Sequence, residues 1–136
     1  WQARWQDGWY VTDDLFVRDQ RGRFRFRGRA DDVIVTAGYN VGPAEVESVL
    51  LEHPAVVEAA APDPDRGAVV RAVVVRAPGA PGEEQLTGAL QQAVRERIGR
   101  HAYPRVVDYI DALPRTATGK VRRTELRVPA PHDTVP

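Results

Sequence analysis

Gly28-Arg29-Ala30-Asp31-Asp32-Val33-Ile34-Val35-Thr36-Ala37-Gly38-Tyr39-Asn40-Val41-Gly42-Pro43-Ala44-Glu45-Val46-Glu47 is the stretch on which the reading of this 136-residue chain turns. Its charged start, Gly28 to Asp32, reads as a break before the apolar run Val33-Ile34-Val35. Thr36 to Gly42 reads as a glycine-bearing loop. Pro43 suits the first position of a helix, and Glu45 and Glu47 are well placed near its positive end. Val46, Val49 and Leu50 recur at i, i+3 and i+4, so the helix is amphipathic; His53-Pro54 ends it.

Upstream, Gly8 to Thr12 reads as a strand, followed by the acidic pair Asp13-Asp14. Leu15-Phe16-Val17 and Phe24-Arg25-Phe26 flank a glycine-containing turn, the mark of a hairpin. Its second strand sets Phe24 and Phe26 on one face and Arg23, Arg25 and Arg27 on the other. Arginines interleaved with aromatics leave open a small nucleic-acid- or protein-binding module, and a half-buried hairpin with a solvated cationic face accounts for the pattern more simply.

Downstream, Val56–Ala61 and Ala68–Ala77 read as strands around a proline- and glycine-rich turn, the second apolar enough to lie centrally in a sheet. Leu86, Leu90, Val94 and Ile98 mark one face of a second helix, which Gly99 stops. Tyr103-Pro104 leads into a strand over 105–110. Thr124 to Arg127 adds a short helical turn, and the tail 128–136, with three prolines and nothing to bury, is expected to be disordered. The patterning predicts an α+β domain: a short sheet flanked by two main helices, with an N-terminal hairpin in front.

Composition narrows the chemistry. The length suffices for one domain with a real core and not for a two-domain enzyme with its own nucleotide fold. Nineteen acidic residues balance nineteen basic ones, so no overall field draws the chain to nucleic acid or membrane. There is no cysteine, hence no disulfide, no thiolate nucleophile and no cysteine-type zinc site. His53, His101 and His132 lack metal-ligand spacing and read as ordinary surface or loop histidines. No apolar run reaches the length of a membrane span and no signal peptide is visible, so a cytoplasmic location is expected. A chain that lacks an initiator methionine is expected to be a fragment or a processed product.

Eighteen of the nineteen cations are arginines, and the single lysine is Lys120. It lies in Leu113-Pro114-Arg115-Thr116-Ala117-Thr118-Gly119-Lys120-Val121-Arg122-Arg123. Lysine offers a compact point charge on a flexible stem, where arginine offers a planar fork. A phosphate-binding P-loop is excluded, because Pro114 and Val121 stand where that motif needs Gly and Ser or Thr. Taken by itself, Gly119-Lys120 fits a solvated surface turn.

Three stretches in order resemble the adenylate-forming superfamily of acyl-CoA synthetases, luciferases and peptide-synthetase adenylation domains. Trp9 to Leu15 is similar to its Y-x-T-G-D segment. Gly28 to Glu47 is similar to its G-R-x-D-D-x-I-K-x-x-G segment with the E-[IV]-E that follows. Leu113 to Arg123 resembles its closing L-P-x-T-x-x-G-K-x-x-R. Gly42-Pro43, His53-Pro54, Pro62-Asp63-Pro64, Tyr103-Pro104-Arg105 and Glu125-Leu126-Arg127 lean toward the medium-chain acyl-CoA synthetases.

The resemblance implies a ligase that joins a small-molecule carboxylic acid to AMP and then to a thiol. Its cofactors are ATP, with Mg2+ held mainly by the substrate and the large domain, and coenzyme A. Residues 1–30 would be the end of that large N-terminal domain, 31–127 the small C-terminal lid and 128–136 the tail. The chain would need the large domain as its partner, and would use neither nucleic acid nor a membrane span. Loading of a carrier protein is the alternative within the family. By resemblance Lys120 is the catalytic lysine bridging the substrate carboxylate and the α-phosphate. Asp14 binds the ribose, Arg29 lies near the ribose or phosphate, and Asp31 is the hinge. Gly38 and Tyr39 lie in the loop that meets the thiol acceptor, and no residue is assigned to a metal. Three positions depart from the pattern: Asp13 replaces a Gly, Val35 a Lys and Asn40 an Arg.

Overall fold

The computed structural model describes residues 4–62 and 69–126. Three two-stranded antiparallel pairs precede a three-stranded main sheet. Strands β1 (Trp5–Gln6) and β2 (Trp9–Tyr10) make a small antiparallel hairpin, with the Trp5 and Tyr10 rings edge to face at 5.6 Å. Strands β3 (Asp14–Arg18) and β4 (Phe24–Arg29) form the hairpin expected from the Phe and Arg pattern. Asp19 caps its turn, accepting the Arg21 and Arg23 amides at 2.9 Å each. These bonds, led by the Arg23 amide, hold its carboxyl below the usual range.

Three expectations need correction here. The strand expected over Gly8 to Thr12 is limited to Trp9–Tyr10 and has a partner, Trp5–Gln6, that has no periodic signature at two residues. The charged break starts later than Gly28, because β4 runs through Arg29 and the turn begins at Ala30. Neither side of the Phe hairpin is half-buried: Phe16, Phe24 and Phe26 all stand exposed.

The loop expected from Thr36 to Gly42 also needs correction. It contains strand β6 (Tyr39–Val41), which pairs antiparallel with β5 (Ile34–Thr36) around a two-residue turn at Ala37 and Gly38. Both turn residues have positive φ, 47° and 82°, the geometry that matches the twist of a tight hairpin. The usual Asn-Gly signal for such a turn is absent because Ala occupies the first place.

Helix α1 (Pro43–Leu51) starts with proline in its first turn, as expected, and buries Val46, Val49 and Leu50. Strands β7 (Val56–Ala60) and β8 (Arg71–Arg76) are antiparallel; β9 (Val106–Tyr109) lies parallel to β8 on its other edge. A parallel neighbour needs a crossover, and helix α2 (Glu83–Arg97) supplies it. A short helix, α3 (Arg123–Leu126), follows. The start of the strand expected from Ala68 and the tail 128–136 lie outside the described residues, as does Arg127.

Strand β8 is the centre of the molecule, and its alternation divides the core. Ala72 and Val74 join α1, α2 and the β5–β6 hairpin through Ile34, Val41, Leu50, Leu86, Leu90 and Val94. Val73 faces the other way, into a cluster with Ala60, Leu113 and Leu126. Burying a Val or Leu side chain is worth about 1.5–3 kcal/mol. The lysine segment therefore has its own apolar footing on the far face of the sheet. Arg71 is buried too, its guanidinium bonded to Asp108 on β9 and to the Leu126 carbonyl at 3.2 Å.

Candidate functional site

Lys120 closes a short, tightly bonded turn. Arg115 and Val121 form an antiparallel bridge, the Thr116 amide donates to the Lys120 carbonyl at 2.7 Å, and the Lys120 amide donates to Thr116 Oγ1 at 3.1 Å. Gly119 takes φ 85°, where a Cβ would be strained, and its amide donates to the Thr116 carbonyl at 2.9 Å. The backbone is thus fixed at both ends while the Lys120 side chain stands exposed.

Two acids from the body of the domain tie this segment down. Arg115 pairs with Glu58 on β7 and donates to the Gly119 carbonyl at 2.8 Å. Arg123 makes a bidentate pair with Glu47 on α1, both oxygens at 2.8 Å, and Glu47 also accepts the Ala61 amide at 2.9 Å. Glu47 and Arg123 come from two separate motifs in sequence, 76 residues apart, and the structure joins them. Glu47 was expected to serve the helix dipole; its geometry makes it the anchor of the lysine turn instead.

Asp14, Arg29 and Asp31 are brought together. Asp14 and Arg29 are register partners across β3 and β4, and Arg29 lies 3.5 Å from Asp14 and 2.9 Å from Asp31. The Asp31 hydrogen bond, then its charge, raises the Arg29 guanidinium further above its ordinary value. Asp13, which replaces the pattern's Gly, adopts φ 61°. Asp tolerates this left-handed conformation better than most residues, so the backbone beside Asp14 keeps a glycine-like shape. Asp13 is paired with Arg4 at 3.2 Å.

Gly38 and Tyr39 occupy the tip of the β5–β6 hairpin and its first paired residue, both exposed. The Tyr39 ring stacks on His101 with centroids 4.5 Å apart. Lys120 is not brought to these groups: its described hydrogen bonds stay within its own turn.

Sequence reasoning missed a cationic cavity of about 610 Å³ lined by Gln92, Arg95, Glu96, Arg100, Tyr103 and Arg105. The Arg95 guanidinium lies 3.9 Å above the Tyr103 ring and that of Arg105 at 5.4 Å. A hydrogen bond from Arg95 pulls the Tyr103 hydroxyl below its ordinary range; burial opposes this, and the charges of Arg105, Arg95 and Arg100 reinforce it. Four arginines around one tyrosine within eleven residues (95 to 105), three of them lining the cavity, was the signal available in the sequence. Among the described residues no group of three or more acidic or histidine side chains is arranged to hold a metal ion. No helix among them is long and apolar enough to cross a membrane.

The model of the AMP-binding enzyme C-terminal domain family matches residues 45–120. The chain belongs to that family. Mouse mitochondrial acyl-coenzyme A synthetase ACSM4 is 51% identical over 125 residues, covering 87% of this chain and 21% of that enzyme. Human mitochondrial ACSM2B is 46% identical over 123 residues, with the same coverage. Among solved structures, O-succinylbenzoate coenzyme A synthetase (MenE) from Bacillus subtilis, in complex with AMP, superposes with TM-score 0.80 at 36% identity. It covers 94% of this chain and 26% of that one.

The chain therefore spans about a fifth of the length of these acyl-CoA synthetases and is similar to the C-terminal part of acyl-CoA synthetase-like adenylate-forming enzymes. The medium-chain leaning of its AMP-binding C-terminal domain motifs is matched by these relatives. The expected cytoplasmic location is overturned: both relatives are mitochondrial by name.

Proposed function

We propose that this chain is the lid of an acid–thiol ligase that forms an acyl-adenylate and passes the acyl group to coenzyme A. In the first step a carboxylate oxygen attacks the α-phosphorus of ATP and the bond to pyrophosphate breaks. In the second the acceptor sulfur attacks the acyl carbonyl, its proton is lost, and AMP departs. Lys120 is the catalytic cation of the first step. Its ammonium offsets the charge of two anions forced together, and a preorganised donor works best when its base is rigid. The observation that carries this reading is the doubly anchored Lys120 turn: a fixed backbone presenting one exposed lysine.

Asp14 and Arg29 are proposed to hold the nucleotide, where an ionised carboxylate is a two-site acceptor for a ribose diol. Asp31 is the hinge, with 1–30 as the end of the large domain and 31–127 as the lid. In support, no described residue before Ile34 is buried. Mg2+ would travel with the triphosphate.

The cavity around Tyr103 favours coenzyme A over a carrier protein. Coenzyme A carries a phosphorylated adenosine diphosphate, which three arginines and an aromatic face suit; a carrier-borne pantetheine has no such nucleotide. The full-length enzyme should therefore show a raised KM for coenzyme A in Arg95→Ala/Arg105→Ala, with free pantetheine used as before. Equal losses with both acceptors would refute the assignment.

A further inference from the structure

Tyr39 is 56% exposed at the mouth of a hairpin whose tip, Ala37 and Gly38, is also open to solvent. Ile34 and Val41 anchor the base of that hairpin in the core. The ring contact described for its tip reaches it from a distant element, the connection between α2 and β9, where His101 lies nearly parallel to Tyr39 at an interplanar angle of 23°.

That connection is a rigid base. The Ala102 amide donates to the Gly99 carbonyl at 3.2 Å, and Ala102 and Pro104 are buried on either side of Tyr103. Gln91 donates to the Pro104 carbonyl at 3.0 Å, and the Arg105 amide donates to the Val70 carbonyl at 2.8 Å. The seat for the imidazole is cut by a glycine. A Cβ on Gly99 would meet His101 Cε1 at 2.9 Å and Nδ1 at 3.0 Å, and Gly99 has φ 139°, which side chains rarely adopt. Gly99 therefore does more than stop α2: it leaves the ring room to lie flat under Tyr39. The same connection carries Tyr103 in the cationic cavity, so hairpin and cavity share one fixed support.

We propose that His101 is a positioning residue for the thiol-transfer step, its ring holding Tyr39 and the Ala37-Gly38 tip in the orientation the acceptor needs. The proposal rests on the reading of Gly38 and Tyr39 as the acceptor-facing loop. What the stack requires of His101 is an aromatic face, not a proton.

The test uses the full-length enzyme in single-turnover mode, with supplied acyl-adenylate and coenzyme A for thiol transfer and pyrophosphate exchange for adenylation. His101→Ala should lower kcat/KM for coenzyme A about three- to tenfold, the range expected for loss of one aromatic pair. Adenylation should be unchanged. His101→Phe should restore most of the loss, and Tyr39→Ala should match His101→Ala with no further loss in the double variant. If Tyr39→Ala slows thiol transfer and His101→Ala does not, the positioning role falls and the acceptor-loop reading stands. If Tyr39→Ala affects neither step, both fall. Equal losses in the two steps that His101→Phe leaves unrepaired would mark His101 as a general stability residue and overturn the proposal.

Discussion

Lys120 has a backbone held at both amide and carbonyl and a side chain left free, so a substitution there tests chemistry with little disturbance of structure. In the full-length enzyme Lys120→Ala should slow adenylation roughly 10²–10³-fold, the usual loss for one preorganised electrostatic donor. Lys120→Arg should rescue little, since a planar fork presents its charge elsewhere. Thiol transfer from supplied acyl-adenylate should stay close to wild type. Single-turnover rates of the two steps check this; two unchanged rates would remove Lys120 from the mechanism. Lys120 was legible in the sequence as the one lysine in an arginine-rich chain, within a recognisable motif. His101 was not, because a stacking partner far along the chain leaves no local pattern. The doubt over Asp13 was legible only as a departure; its φ of 61° shows how the departure is accommodated.

Between elements, the decisive contacts are ionic and long-range. Glu47 on α1 holds Arg123 and the Ala61 amide together, so Glu47→Ala leaves a partly buried cation and an amide without their acceptor. A cost of about 2 kcal/mol is expected, which lowers the melting midpoint by roughly 8–16 °C for a domain of about 100 residues. Adenylation in the full-length enzyme should fall as well, because the lysine turn loses an anchor. A variant with a native midpoint and native adenylation would contradict this. The hinge is tested by Asp31→Pro, which fixes φ near −65°; it should spare adenylation and depress thioester formation, and equal loss of both would count against a hinge there. Periodicity made α1, α2 and the central strand legible beforehand. Strand β6 was read as loop because its three residues, paired across the Ala37-Gly38 turn, carry neither alternation nor the customary turn residues.

For the whole molecule, the described groups include the charges proposed for the nucleotide, the proposed acceptor hairpin and the lysine turn, yet no enclosure that brings them to one point. The chain by itself is therefore expected to show no pyrophosphate exchange with any of a panel of carboxylates. Holding two substrates in place can supply about 7–11 kcal/mol of barrier lowering, and that contribution needs a second body. Robust turnover by the isolated chain would relocate the active site. Fold class and the motif around Lys120 could be read from one sequence because pattern and motif are local. The tied-down lysine turn could not, since it is assembled from segments that meet only after folding; the cationic cavity lies within residues 92–105, and its local cluster of arginines around Tyr103 was passed over.

Arg71 in β8 has a consequence for the chain before it folds. Val69-Val70-Arg71-Ala72-Val73-Val74-Val75 is a seven-residue window of strong strand formers with one charge. Such windows seed intermolecular pairing when exposed, and a single charge is a common interruption. Until Asp108 and the Leu126 carbonyl are in place, the Arg71 guanidinium stays hydrated and makes this edge a poor template for another copy. Replacing the pair together, Arg71→Met with Asp108→Leu, should leave the folded domain about as stable while raising light scattering after dilution from denaturant at micromolar concentration. Unchanged scattering would confine Arg71 to the finished sheet; a rise would make it a guard against aggregation during every cycle of synthesis and refolding.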